Sequence, residues 1–156
     1  MVRIVISLLL LLILAATSTP VVRCQAAFEI RAVVDSLQQG AYNMIVEGSP
    51  QGVFLDRKAL FTLADIDSAT VYAGTSEEGT PMYAVNIAFK PSLNDSMKSL
   101  TGHHIGDRLA VIMDGKVLAT PKILDPLRTA RISLSVATEA EARELAKKIS
   151  KAMKEK

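Results

Sequence analysis

The sequence predicts an α+β fold, a mostly antiparallel sheet with two helices on one face. Three observations predict it. Arg108–Met113 and Lys116–Thr120 are apolar runs joined by Asp114-Gly115, the strongest short-range hairpin signal, because a type I′ turn needs positive φ at both central residues. Ala142, Leu145, Ala146, Ile149 and Met153 recur at helical spacing near the end of the chain. Between Phe28 and Val136 several segments alternate apolar and polar residues, the period of a half-buried strand. Strands interrupted by two helices, in the order β, β, helix, hairpin, β, helix, give a sheet covered by helices, with a ferredoxin-like variant as the nearest named type.

The elements follow in order. Phe28–Val34 alternates and reads as a strand, and Tyr42–Val46 adds a short one within a stretch punctuated by Gly40, Gly48, Pro50 and Gly52. Val53–Leu55 is a brief apolar run. Thr62 and Asp65 have capping-box spacing for a single helical turn. Asp67–Ala73 and Met82–Phe89 are strands joined by the polar loop Gly74–Pro81, with Tyr83, Val85, Ile87 and Phe89 on one face. After Pro91, Ser92 is placed to cap a helix whose stripe is Leu93, Met97 and Leu100, with Gly102 ending it. In the hairpin, pairing outward from the turn sets Ile112 opposite Val117 and Val111 opposite Leu118. Apolar residues on both faces place the hairpin inside a sheet. Lys122–Thr129 holds a short helical turn near Pro126. Arg131–Val136 turns Ile132, Leu134 and Val136 inward and Ser133 and Ser135 outward. Thr138 and Glu141 open the last helix as a capping box, with ion pairs expected at Glu139–Arg143 and Glu144–Lys148.

The chain has 156 residues with a net charge of +2, so no strong field points to nucleic acid, and aromatics at 4% with no Trp leave no base-stacking platform. Residues 1–26 read as a signal peptide. Arg3 precedes an apolar run, Ile4 to Ala16, that is shorter than the ~20 residues a membrane span needs. Small residues then permit cleavage after Ser18 or after Ala26. The division of the remainder is 27–52, an N-terminal strand and linker, and 53–156, the α+β domain. Cys24 is the sole cysteine, which excludes an internal disulfide. Its place after the leader suggests lipid attachment, but Arg23 stands where a small residue is expected, and the alternative is an unpaired thiol. The expected address is the periplasm or cell envelope of a bacterium. Contact with the membrane is expected only through an N-terminal anchor, if the leader or Cys24 is kept.

No catalytic constellation emerges. Ser92, Ser96 and Ser99 lack a nucleophile-elbow context. His103 and His104 are the only histidines, and on an extended backbone adjacent side chains diverge. They make a poor metal set and read as a polar link or, alternatively, as a contact loop or pH-sensitive site. No metal and no cofactor is expected. Lys147, Lys148, Lys151, Lys154 and Lys156 form a basic end, a solvated complement to the helix dipole or an attraction to anionic lipid worth ~1 kcal/mol per residue.

Asn86–Ile123, NIAFKPSLNDSMKSLTGHHIGDRLAVIMDGKVLATPKI, and Ala137–Ile149, ATEAEARELAKKI, carry a resemblance. They resemble the head of the first periplasmic domain of SecD, in the SecDF protein-export membrane protein family. The shared pieces are a helix ending in Leu-Thr, a strand, Asp-Gly-Lys-Val, a small residue with Pro, and a Thr-Glu-type helix. Phe28–Val34 is similar to the strand entering that head. The Leu-Asp-Leu-x-Gly-Gly motif and the transmembrane helices of the family are absent, and Arg128–Arg131 and Ser133–Ser135 replace its usual glycines. The resemblance therefore implies a free-standing exported head domain, unable to couple a proton gradient to transport. It implies a non-enzymatic domain contacting translocated or envelope polypeptides. The alternative is a structural or inhibitory envelope protein that docks one folded partner.

Overall fold

The computed structural model describes residues 28–34 and 41–155. The expected leader, both candidate cleavage positions and Cys24 lie outside the described residues. Eight strands and two helices follow one another: β1 (Phe28–Val34), β2 (Tyr42–Ile45), β3 (Gly52–Thr62), β4 (Ile66–Thr75), β5 (Pro81–Phe89), α1 (Asn94–His103), β6 (Leu109–Met113), β7 (Lys116–Ala119), β8 (Arg131–Val136) and α2 (Glu139–Lys154). The α+β class with antiparallel strands and two helices is as expected, with the strands divided between two sheets. One has the order β2-β3-β1-β6-β7, the other β4-β5-β8.

The five-stranded sheet curls until its ends meet. Val46, just past β2, bridges Val117 of β7 in parallel, and the Glu47 N–H donates to the Val117 carbonyl at 2.8 Å. Leu55, Ala110, Ile112 and Val117 fill the hollow of the curl, with Val33, Tyr42, Met44 and Val53 around them. All five residues of β6 are buried, because one face looks into this hollow and the other into the main core. The hairpin expectation is thus met at Ile112–Val117, whereas an irregularity past that pair sets Val111 against Ala119, not Leu118.

The main core lies between the sheets and under the helices. Phe28, Ile30, Val85, Ile87, Phe89, Val111 and Leu134 meet Met97 of α1 and Ala142, Ala146 and Ile149 of α2 there. β3 is longer than the apolar run Val53–Leu55. Asp56, Arg57 and Lys58 bulge out of register with β1, and the Arg31 guanidinium stabilises the bulge by donating to the carbonyls of Asp56 (3.1 Å) and Arg57. Arg31 is itself paired with Glu29 at 2.6 Å.

Three local expectations are corrected. Ser92 does not cap α1, because Pro91–Leu93 forms a 3-10 turn that leads into the helix, and Leu93 at the cap has helical dihedrals. Gly102 lies inside the last turn of α1, and the left-handed glycine after it is Gly106, φ 96°. Residues 122–129 form no helical turn. Side chains of α1 hold this segment in an irregular path that bends at Asp125 and Arg128–Ala130: the Asn94 carboxamide oxygen accepts from the Ala130 N–H at 2.8 Å, and the Thr101 hydroxyl accepts from the Leu127 N–H at 2.9 Å.

Candidate functional site

β8 is the edge of its sheet, and the ladder shows which of its backbone groups are free. The Phe89 N–H donates to the Ala130 carbonyl at 2.8 Å, and the same register continues through Ile87–Ile132, Val85–Leu134 and Tyr83–Val136. Bonded and non-bonded pairs alternate in an antiparallel ladder. Ile132, Leu134 and Val136 therefore aim their backbone groups at β5, and Ser133 and Ser135 aim theirs away from it. The Arg131 N–H, also directed away, is taken by the Thr129 carbonyl at 2.7 Å.

Two clefts flank this edge and share Leu134. The larger, about 600 Å³, runs between β8, β7 and α2, with Met113, Leu118, Val136 and Leu145 as apolar lining. The second, about 360 Å³, opens between β8 and the irregular segment after β7, lined by Ile123, Leu127, Ile132 and Thr101. Thr101 is 1% exposed and satisfied twice, since its hydroxyl also donates to the Met97 carbonyl at 2.7 Å.

Charges ring the larger cleft. Lys116 pairs with Glu47 at 3.1 Å. Lys148 pairs with Asp114 at the hairpin turn, so the expected Glu144–Lys148 pair does not form. The expected Glu139–Arg143 pair does. The Glu141 carboxylate accepts from the Ala137 N–H at 3.1 Å and its own N–H donates to Thr138 Oγ1 at 3.2 Å. Glu144 is left on the rim with no ion pair among the described residues.

The structure places His103 and His104 at the exposed end of α1, away from both clefts. His103 Nδ1 donates to the Ser99 carbonyl at 2.7 Å, and His104 Nδ1 to the Asp107 carboxylate at 2.8 Å. The two rings are held by different partners and do not converge. Among the described residues no three His, Cys, Asp or Glu side chains gather as metal ligands. Sequence reasoning marked Ser133 and Ser135 as outward residues but missed the edge they belong to, because strand order is not written in the local pattern. A row of backbone groups unpaired among the described residues, beside one charge-rimmed and one apolar cleft, can hold an extended chain: the row supplies hydrogen bonds and the clefts take side chains.

Residues 37–152 match the model of the SecDF P1 head subdomain. Two solved structures are similar over 80% of this chain at 22% identity. One is SecDF in its super-membrane-facing form, TM-score 0.60, of which the match covers 18%. The other is from a study of SecDF as a membrane component that enhances protein export, TM-score 0.58, of which the match covers 62%. The chain thus spans less than two thirds of either. No curated protein matches it. No helix among the described residues is long and apolar enough to cross a membrane. The match to the family model spans well over half of the sequence, and the chain belongs to the SecDF P1 head subdomain family.

Proposed function

We propose that this protein is a non-enzymatic binding domain of the bacterial periplasm or cell envelope that holds extended segments of exported or envelope polypeptides. The observation that carries the reading is the open edge of β8, with the backbone groups of Ser133 and Ser135 turned away from β5 and unpaired among the described residues, lying between a charge-rimmed cleft and an apolar one. Backbone pairing is indifferent to side-chain identity, which suits a partner of varied sequence. Membership of a SecDF subdomain family supports a place in protein export.

The test is binding of a reduced, unfolded secretory protein to the full chain, followed by fluorescence anisotropy. Saturable binding is expected. Ser135→Pro removes an N–H that faces away from β5, and edge strands tolerate proline there. It is expected to weaken binding at least about fivefold, one lost charge-free hydrogen bond plus steric exclusion of the added strand. Absence of binding by the wild-type chain at high micromolar concentration overturns the reading. Crosslinking in the envelope that captures one folded protein in fixed stoichiometry, and no unfolded chain, favours the structural or inhibitory alternative.

A further inference from the structure

The opposite edge of the same sheet has a different character. β4 runs ten residues, Ile66–Thr75, and pairs only with β5. Pro81 sits opposite Thr75 and has no N–H to give, while the Ser76 N–H donates to the Thr80 carbonyl at 2.8 Å. Counting back along the alternating ladder, Ser68, Thr70, Tyr72 and Gly74 bond to β5. Ala69, Val71, Ala73 and Thr75 turn their N–H and C=O groups outward, and none of these groups is engaged elsewhere among the described residues. Residues 68–75 contain no charge and no proline, and the one register irregularity lies before Ser68. These are the devices by which exposed edges are normally closed to other chains. Thr70 to Ala73 are all exposed, Val71 and Tyr72 by 37% and 44%.

Charge brackets this uncharged row. Asp67 is exposed at one end, and Glu77 and Glu78 are exposed in the hairpin loop past the other, with Ser68–Thr75 of the strand between them. None of the three takes part in an ion pair among the described residues. This pattern opposes self-association. A second copy paired antiparallel about Tyr72 brings the Asp67 end of β4 beside the copy's hairpin loop, which carries Glu77 and Glu78. It favours a strand with basic ends.

We infer that the β4 edge is a second strand-addition site, specific for an extended, uncharged polypeptide segment flanked by Lys or Arg. The inference extends the proposed function from β8 to β4 and rests on that reading for the class of partner. It adds a selectivity of its own, because the outward groups of Ala69 to Thr75 are bracketed by carboxylates.

The probe is a peptide of alternating Thr and Val, long enough to span Asp67 to Glu77, with Lys at both ends. Its counterpart carries Glu at both ends. The full chain is expected to bind the Lys-ended peptide roughly tenfold more tightly. Replacing Asp67, Glu77 and Glu78 by their amides (Asp67→Asn, Glu77→Gln, Glu78→Gln) is expected to remove the preference. Val71→Pro deletes an outward N–H and no bond to β5, and is expected to abolish probe binding while unfolded-protein binding at β8 persists. N-methylating the probe at alternate residues is expected to do the same without touching the protein. Equal binding of the two peptides overturns the inference. So does probe binding that Ser135→Pro removes and Val71→Pro leaves intact, in which case β8 binding stands alone. A dimer in sedimentation that Val71→Pro dissociates also overturns it, by showing the edge to be occupied by a second copy. If the wild-type chain binds the Lys-ended probe but no unfolded secretory protein, the proposed function falls and the β4 edge stands as a peptide site.

Discussion

Asp114 and Gly115 show how much a single turn can specify. Their φ values of 50° and 74° are both left-handed, as the type I′ reading of Asp-Gly requires. Gly115 has no heavy atom within 4 Å of where a Cβ would sit, so Gly115→Ala acts through backbone strain and not collision. It is expected to cost about 1–2 kcal/mol in urea denaturation. Asp114 has a second task, the ion pair to Lys148 of α2. Asp114→Asn keeps the turn and breaks the pair, and with both groups partly exposed the expected loss is below ~1 kcal/mol and shrinks further in high salt. Thr101 is more demanding. Thr101→Val keeps the shape but leaves the buried-side Leu127 N–H without its acceptor, and is expected to cost about 1–3 kcal/mol. Thr101→Ser is expected to recover most of that. The asymmetry between the two variants separates the hydrogen bond from the packing of the methyl group.

At the level of elements, legibility followed local chemistry. The course of α2 is legible, because a cap, an apolar stripe and a dipole-matched charge pattern all act within a few residues, while Lys148 reaches Asp114 of the distant hairpin instead of Glu144. Thr138→Ala is expected to destabilise the domain by ~1 kcal/mol, and Ile149→Ala, at a fully buried position, by about 2–5 kcal/mol. Thermal melts of the two variants check both. β3 was only partly readable. Its exposed Asp56-Arg57-Lys58 breaks the alternation, and what keeps the strand continuous is Arg31, twenty-odd residues earlier and on a different strand. The segment after β7 was misread for the same reason: Leu127 and Ala130 are held by Thr101 and Asn94 across the fold, and no local rule contains those bonds. The start of α1 differs for a nearer cause, the tight turn that Pro91 begins.

For the molecule as a whole, the sequence shows the strands and helices but not how strands are shared between sheets. Alternation tells which residues face inward and is silent on neighbours. That is why the two open edges, β8 and β4, appear only once strand order is known. The larger cleft offers a test at this scale. Leu145→Glu puts a charge beside Glu144 on the apolar wall, and is expected to weaken binding of an unfolded secretory protein several-fold, with little change in melting temperature because Leu145 is only partly buried. Leu145→Met is expected to leave binding unchanged.

β1, between β3 and β6, has one further consequence, for the time order of folding. β1 precedes both of its partners in the chain, and β6 begins at Leu109, some eighty residues after Phe28. If the chain is delivered N-terminus first, the strand at the centre of the five-stranded sheet emerges early and waits, one of its sides unpaired until the hairpin arrives. Closing so distant a pair is slow compared with forming a local one, so the domain is expected to refold in two kinetic phases, with the β4-β5 hairpin protected from hydrogen exchange before β1. A chain released before Leu109 has left its carrier would present β1 as an open edge of its own.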